Sequence, residues 1–276
     1  MQNRSIDIRD EIFRGIARKI YSACIIADED GIIAETDAAA KEAERLGVVL
    51  ESIAEEGVRV RTGDVVARFR GTPKQIAAAE EVLIGLMAKP SGIATAAHEF
   101  VTRAGGSPHI VCGAWKKMPP QLKETIRRAI KAGGGSSRIT STPFVYLDKN
   151  YVEMLHGIQG CLEAASGFNG SAKVVQLKGR YADIAREACE AASCGAAIVF
   201  IDTGCREDIA RVSAALREAG LRESVRIAFA GNIKREDMAE LKSMDVDILD
   251  IGRAIVDAPL LDMRMEVIAM EADTRD

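Results

Sequence analysis

Two stretches near the end of the chain, IAFAGNIKRED at 227–237 and ILDIGRAIVD at 248–257, decide how the rest is read. Each is a short apolar run that ends in a small glycine-containing loop at the head of a helix. In an α/β barrel the loops after the last two strands commonly make a phosphate site from backbone N–H groups at helix starts. Gly231 and Gly252 would then hold a phosphate, although tight strand-to-helix turns need such glycines even where no phosphate binds.

Working outward, the same cadence extends back to about residue 108. Strand candidates are HIVCGAW, FVYLD, AKVVQLK, AAIVFIDTG, RIAFAGNI and DILDIGRAI, with helices expected over 119–132, 180–194, 205–219 and 234–243. Strands separated by helices of this length imply parallel βαβ units. The first hundred residues have another texture. ACIIADEDGIIAE reads as two short strands around an acidic turn, 35–47 as a helix stopped by Gly47, and EEGVRVRTGDVVARFRG as a half-buried hairpin about Thr62-Gly63-Asp64. A long helical pattern over 73–103 is expected to kink or break at Pro90-Ser91-Gly92.

Composition agrees with helices packed on buried strands. Hydrophobic residues make up 47% of the 276, aromatic residues only 4%, and the net charge is −4. That charge offers no general attraction to nucleic acid or to a membrane surface, so neither is expected as a partner. No apolar run approaches the roughly 18 residues of a membrane span, and the polar start is unlike a signal peptide, so a cytoplasmic location is expected. Six cysteines without CxxC spacing and three scattered histidines predict no transition-metal site.

The segment IKAGGGSSRITS at 130–141 allows two readings. Its glycines, with Ser136, Ser137 and Arg138, could cradle an anion, or they could stop a helix and connect it onward.

The order of several blocks resembles the quinolinate phosphoribosyltransferase family, the carboxylating nicotinate-nucleotide pyrophosphorylases. They are SGIAT at 91–95, AWKKMPPQLKETIRRAIKAGGGSSR at 114–138, then FIDTG, AGNI and VDILDIG, and the likeness covers most of the chain. The resemblance implies an N-terminal α/β sandwich, here over 1–107, and an α/β-barrel-like domain of parallel strands, here over 108–258, while the amphipathic terminal segment over 259–276 is expected to form a C-terminal helix packing back on the first domain. This is the type II phosphoribosyltransferase architecture. It also implies phosphoribosyl pyrophosphate as a substrate, magnesium as cofactor, and a homodimer or higher homo-oligomer.

Residue by residue the likeness is partial. The family's T-R-K appears as Ala114-Trp115-Lys116, and its glycine triplet with x-N-H-R becomes Gly133 to Gly135 followed by Ser136-Ser137-Arg138. Its L-I-K-D-N-H reads Tyr146-Leu147-Asp148-Lys149-Asn150-Tyr151, and its V-E-V-E reads Val174-Val175-Gln176-Leu177-Lys178. The E-R pair before S-G-I-A-T is Glu80-Glu81. On this basis Lys116, Arg138 and Asp202 are the expected catalytic residues, with Asp202 also a candidate magnesium ligand. Trp115, Ser136, Ser137, Lys149, Ala230, Gly231, Asn232, Gly252 and Arg253 are expected to bind substrate.

Quinolinate carries two carboxylates, which favour arginine forks. Removing the partner of a buried carboxylate costs about 3–5 kcal/mol, more than a hundredfold in affinity. With tryptophan and glutamate where the family has arginines, the expected reaction is phosphoribosyl transfer to an aromatic or heterocyclic acceptor other than quinolinate, stacked on Trp115. The alternative is a repurposed member that binds a phosphorylated ligand without catalysis.

Overall fold

The computed structural model describes residues 7–270. They divide into two compact units: residues up to Ala96 with Glu124–Gly134 and the segment from Ala258, and residues Ala97–Lys123 with Gly135–Asp257.

The strands of the first unit are β1 (Tyr21–Ala27), β2 (Gly31–Ile32), β3 (Val49–Ile53), β4 (Arg59–Val60) and β5 (Val65–Gly71). The corners at 28–30 and 61–64 interleave. β1 pairs antiparallel with β5 and β2 with β4, so neither the acidic turn nor Thr62-Gly63-Asp64 closes the local hairpin its sequence suggests. Instead Ala27 bonds across to the second corner, its N–H donating to the Asp64 carbonyl at 3.0 Å and its carbonyl accepting the N–H of Gly63 at 2.8 Å. The helix Thr36–Leu46 ends as expected at Gly47, whose φ of +75° is left-handed.

The C-terminal segment departs from expectation. Residues Met263–Met270 form a strand, not a helix, and pair antiparallel with β1 from Ala27↔Met263 to Tyr21↔Met270. Met263, Met265 and Val267 alternate with Arg264 and Glu266, which is the period of a strand with one covered face. The sheet order is thus terminal strand, β1, β5, β3. Ala23, Ile25 and Ala27 of β1 and Ala67 and Phe69 of β5 pack with Ala39 and Ala43 of the helix after β2 and with Ile76, Ala79, Leu83 and Met87 of a long helix.

That long helix runs Pro73–Ala104 and includes Pro90. The expected break is absent, and SGIAT has another task. The Ser91 hydroxyl accepts the N–H of Ala34 at 2.9 Å and the Thr95 hydroxyl that of Ile32 at 2.8 Å, satisfying backbone donors at the end of β2 and just after it. Gly92 faces the crossing segment at Pro259, where an added Cβ would lie 1.8 Å from the carbonyl oxygen.

In the second unit six strands follow: β6 (His109–Val111), β7 (Phe144–Leu147), β8 (Ala172–Leu177), β9 (Ile198–Ile201), β10 (Arg226–Ala230) and β11 (Ile248–Asp250). The terminal strand is accordingly β12. They form one wholly parallel sheet in the order β6-β11-β10-β9-β8-β7. Alternate residues, Val111, Tyr146, Val174, Ile198, Phe200, Ala228 and Ile248, gather with Ile139 and Phe144 into one inner core, as in a barrel. The opposite face is also buried, at Val199, Ile201, Ile227 and Leu249, which is why these strands read as continuous apolar runs. Helices Lys149–Met154 and Ile158–Ala164, which the periodicity did not announce, fill the connection from β7 to β8. No helix among the described residues is long and apolar enough to cross a membrane.

Candidate active site

The C-terminal ends of these strands open into a cavity of about 490 Å³. β6 delivers Gly113 and then a tight helical turn, Ala114–Lys117, which carries Lys116 and Lys117 to its edge. β7 contributes Tyr146, β8 Gln176, β9 Phe200 and Asp202, β10 Ala230 with the loop through Ile233, and β11 Asp250 followed by Gly252 and Arg253.

Two backbone approaches shape the floor. The Gly113 N–H donates to the Asp250 carboxylate at 2.8 Å, and a Cβ at Gly113 would lie 3.0 Å from the other carboxylate oxygen. At Gly231 a Cβ would lie 2.2 Å from the Cα of Gly204, so the loops after β9 and β10 touch backbone to backbone. Asn232 then takes φ of +50°, a left-handed conformation that asparagine tolerates better than most residues.

Asp202 points into the site instead of capping the next helix, where Thr203 and Asp208 make the local bond at 2.7 Å. The Asp202 carboxylate accepts from the side-chain amide of Gln176 and from the Lys178 ammonium, the latter at 3.0 Å. Asp250 is held differently: burial pushes its carboxyl above the usual range, opposed by the Gly113 N–H and by Lys116. The Tyr146 hydroxyl is likewise pushed well up by burial and remains protonated at neutral pH. Its ring meets Phe200 edge-on at 5.9 Å, and Lys116 Nζ lies 5.7 Å from its centroid. Behind the wall, burial pushes the Cys112 thiol up to about 12, so no thiolate nucleophile forms there near neutrality. Arg253 reaches the rim and pairs with Asp257 at 3.0 Å.

Seven of the expected site residues therefore meet at one cavity: Lys116, Asp202, Ala230, Gly231, Asn232, Gly252 and Arg253. The glycine segment does not line it. Gly133 and Gly134 end the helix Lys123–Ala132, Gly134 at φ +82°, and Ser136 then lies beside Val111 as a single parallel bridge. Ser136 Oγ accepts the N–H of Arg138 at 3.2 Å and donates to its carbonyl at 2.7 Å, while the exposed Arg138 guanidinium stacks on Phe144 at 5.0 Å. Trp115 is also elsewhere: its indole N–H donates to the Ser137 carbonyl at 2.9 Å, so the stacking surface inside the cavity belongs to Tyr146 and Phe200. Lys149 bonds Asn150 at 3.0 Å and borders a shallow hollow next to the cavity. Glu81 pairs with Arg9 of its own chain at 2.6 Å.

Gln176, Tyr146, Phe200 and Asp250 were missed as site residues. Each sits at or next to the end of a strand that the sequence did announce, so counting to the strand terminus would have found them.

Asp202 is a poor seat for a magnesium ion, because a neighbouring ammonium shares its carboxylate. Its Oδ2 already receives an ammonium and an amide, and with groups of three or more His, Cys, Asp or Glu absent among the described residues, an ion here would depend on substrate phosphates and water for its other ligands.

A parallel α/β barrel-like sheet with cations, carboxylates and glycine loops converging at its strand ends is the arrangement in which barrel enzymes commonly hold phosphorylated small molecules. Residues 93–266 match the model of the C-terminal domain of quinolinate phosphoribosyl transferase and residues 7–91 that of its N-terminal domain. The chain belongs to the quinolinate phosphoribosyltransferase family of pentosyltransferase enzymes. A similar protein of Archaeoglobus fulgidus, named probable nicotinate-nucleotide pyrophosphorylase (carboxylating), is 29% identical over 255 residues, covering 92% of this chain and 96% of that one. The human nicotinate-nucleotide pyrophosphorylase (carboxylating) is 25% identical over 210 residues, 75% of this chain and 68% of its own. In fold, the nicotinate-nucleotide pyrophosphorylase structure from Francisella tularensis superposes with a TM-score of 0.81 at 20% identity, covering 96% of this chain and 91% of that one.

Proposed function

We propose that this enzyme transfers the phosphoribosyl group of phosphoribosyl pyrophosphate to the ring nitrogen of a planar heterocycle bearing at most one carboxylate, not to quinolinate. The observation that carries the reading is the charge at the cavity: Lys116, Lys117 and Arg253 border it, and so do Asp202, Asp250 and Asp257. A donor rich in phosphate engages those cations. None is left over as a fork for the second carboxylate of a dianionic acceptor.

In this reading backbone N–H groups at Ala230–Asn232 and Gly252 hold the 5′-phosphate, as loops at parallel strand ends commonly do. Asp202 faces the ribose, and its negative charge favours the oxocarbenium character that develops at the anomeric carbon. The acceptor lies against Tyr146 and Phe200. Its nitrogen lone pair forms the new bond as the C–O bond to pyrophosphate breaks and the leaving group takes that electron pair. Lys116, which lines the cavity, meets the charge that appears on the departing oxygens in this reading.

Pyrophosphate release measured with quinolinate and with monocarboxylate and uncharged aromatic nitrogen heterocycles tests this. The expected result is a kcat/KM at least tenfold higher for a heterocycle with one carboxylate or none. A preference for quinolinate would overturn the acceptor assignment.

A further inference from the structure

β8 ends in Gln176-Leu177-Lys178, and its two polar side chains converge on one carboxylate. Lys178 Nζ is 3.0 Å from Asp202 Oδ2 and also donates to the Asp202 carbonyl. An ammonium has three N–H donors, so one remains to meet a ligand. The Gln176 side chain has its orientation fixed from the other end. Its oxygen accepts the Lys149 N–H at 2.8 Å, which obliges its NH₂ to face Asp202.

The backbone carrying Lys178 is fixed as well. Glu187, only 2% exposed, accepts the N–H groups of Lys178 at 3.2 Å, Gly179 and Arg180 at 2.8 Å each, and Tyr181 at 3.0 Å. With the N–H of Ala182 at 3.5 Å, five donors on one buried carboxylate hold the loop after β8 in place. Beside it Lys149, Lys178 and Arg180 border a hollow of about 10 Å³, room for one water, that shares Gln176 with the main cavity. Its single carboxylate is Glu187, already saturated by the loop.

A small divalent cation needs bare oxygens at about 2.0–2.1 Å. An ammonium on the same Asp202 oxygen competes for that place and repels the ion. Lys149, Lys178 and Arg180 give this edge of the site a positive field, which favours an anion in the neighbouring cavity over a metal cation.

We propose that Lys178 is the resident cation of this site: its ammonium stands beside Asp202 where a divalent metal would, and a diphosphate group that meets Lys116 in the main cavity binds there without metal. Glu187 is a positioning residue that holds Lys178 there. This rests on the phosphoribosyl-donor reading above and deepens it.

Calorimetric titration of the full chain with inorganic pyrophosphate, in EDTA and in magnesium, tests the proposal apart from turnover. Wild-type affinity is expected to agree within about threefold between the two buffers, and Lys178→Ala to weaken metal-free binding at least tenfold. Glu187→Gln keeps the side-chain volume and is expected to weaken it threefold or more, with Lys178→Arg retaining most of the affinity. Binding that needs magnesium, or a Lys178→Ala affinity unchanged in EDTA, overturns the proposal. So does an absence of pyrophosphate binding in both buffers, while product formation from phosphoribosyl pyrophosphate decides the transferase reading separately. Manganese titration followed by electron paramagnetic resonance gives a second readout. Submillimolar binding abolished by Asp202→Asn would place a metal on that carboxylate and sink the idea.

Discussion

Two glycine-rich regions of this chain look alike in sequence and do different work. Gly133 to Gly135 follow a helix, and Gly134 takes the left-handed turn that ends it. Gly231 and Gly252 follow parallel strands and border the cavity. The difference lies in what the backbone leaves exposed. Past a strand, the next N–H groups belong to the start of a helix and face outward toward a ligand. Past a helix C-terminus, the free groups are carbonyls, which repel an anion. A glycine run therefore signals an anion site only when the element before it is a strand.

The comparison sharpens if the side chains that border the cavity can be separated experimentally from those beside the glycine triplet. Lys116→Ala has the largest expected effect. A charge-assisted contact is worth about 1.5–3 kcal/mol, so kcat/KM should fall about ten- to a hundredfold. Steady-state kinetics with the donor varied checks this, and thermal unfolding should be nearly unchanged because the side chain is exposed. A loss below threefold would remove Lys116 from the donor site.

Gly231→Ala probes the strand-end loops directly. The added methyl would collide with the Gly204 backbone at 2.2 Å, and backbone cannot yield as a flexible side chain can. Overpacking of this kind costs about 1–3 kcal/mol. In a unit of this size the midpoint should drop about 2–12 °C by calorimetry, with a weaker donor KM. Gly134→Ala also strains a left-handed φ, yet it should leave the donor KM alone. Equal effects of the two on KM would break the comparison.

How much of this was legible follows from the same distinction. The six parallel strands were readable because both faces are buried and each becomes an apolar run, as in Ile198–Ile201. Their terminal loops announced themselves through glycine. Side-chain destinations were not readable, because they depend on partners distant in sequence. Trp115 gives its N–H to Ser137, and Gln176 is aimed by Lys149, 27 residues away. The short helix Lys149–Met154 did carry a signal, since Asp148 caps it through the N–H groups of Asn150 and Tyr151. The strand Met263–Met270 was misread because five alternating residues were weighed as one amphipathic segment.

Arg138→Ala should have the smallest effect. An arginine beside a glycine triplet invites a phosphate role, but here it is exposed and lies over Phe144 instead of bordering the cavity. Stacking of an exposed cation on a ring contributes about 0.5–1 kcal/mol. The midpoint should therefore fall by a few degrees at most, and kcat/KM should change less than threefold. The Lys116 variant is the matched control, since both remove one exposed cation of the same unit. If Arg138→Ala lowers kcat/KM thirtyfold or more, the guanidinium leaves Phe144 to reach the donor during turnover. The glycine triplet would then serve the site through the side chain that follows it, and strand-end glycines would lose their special standing here.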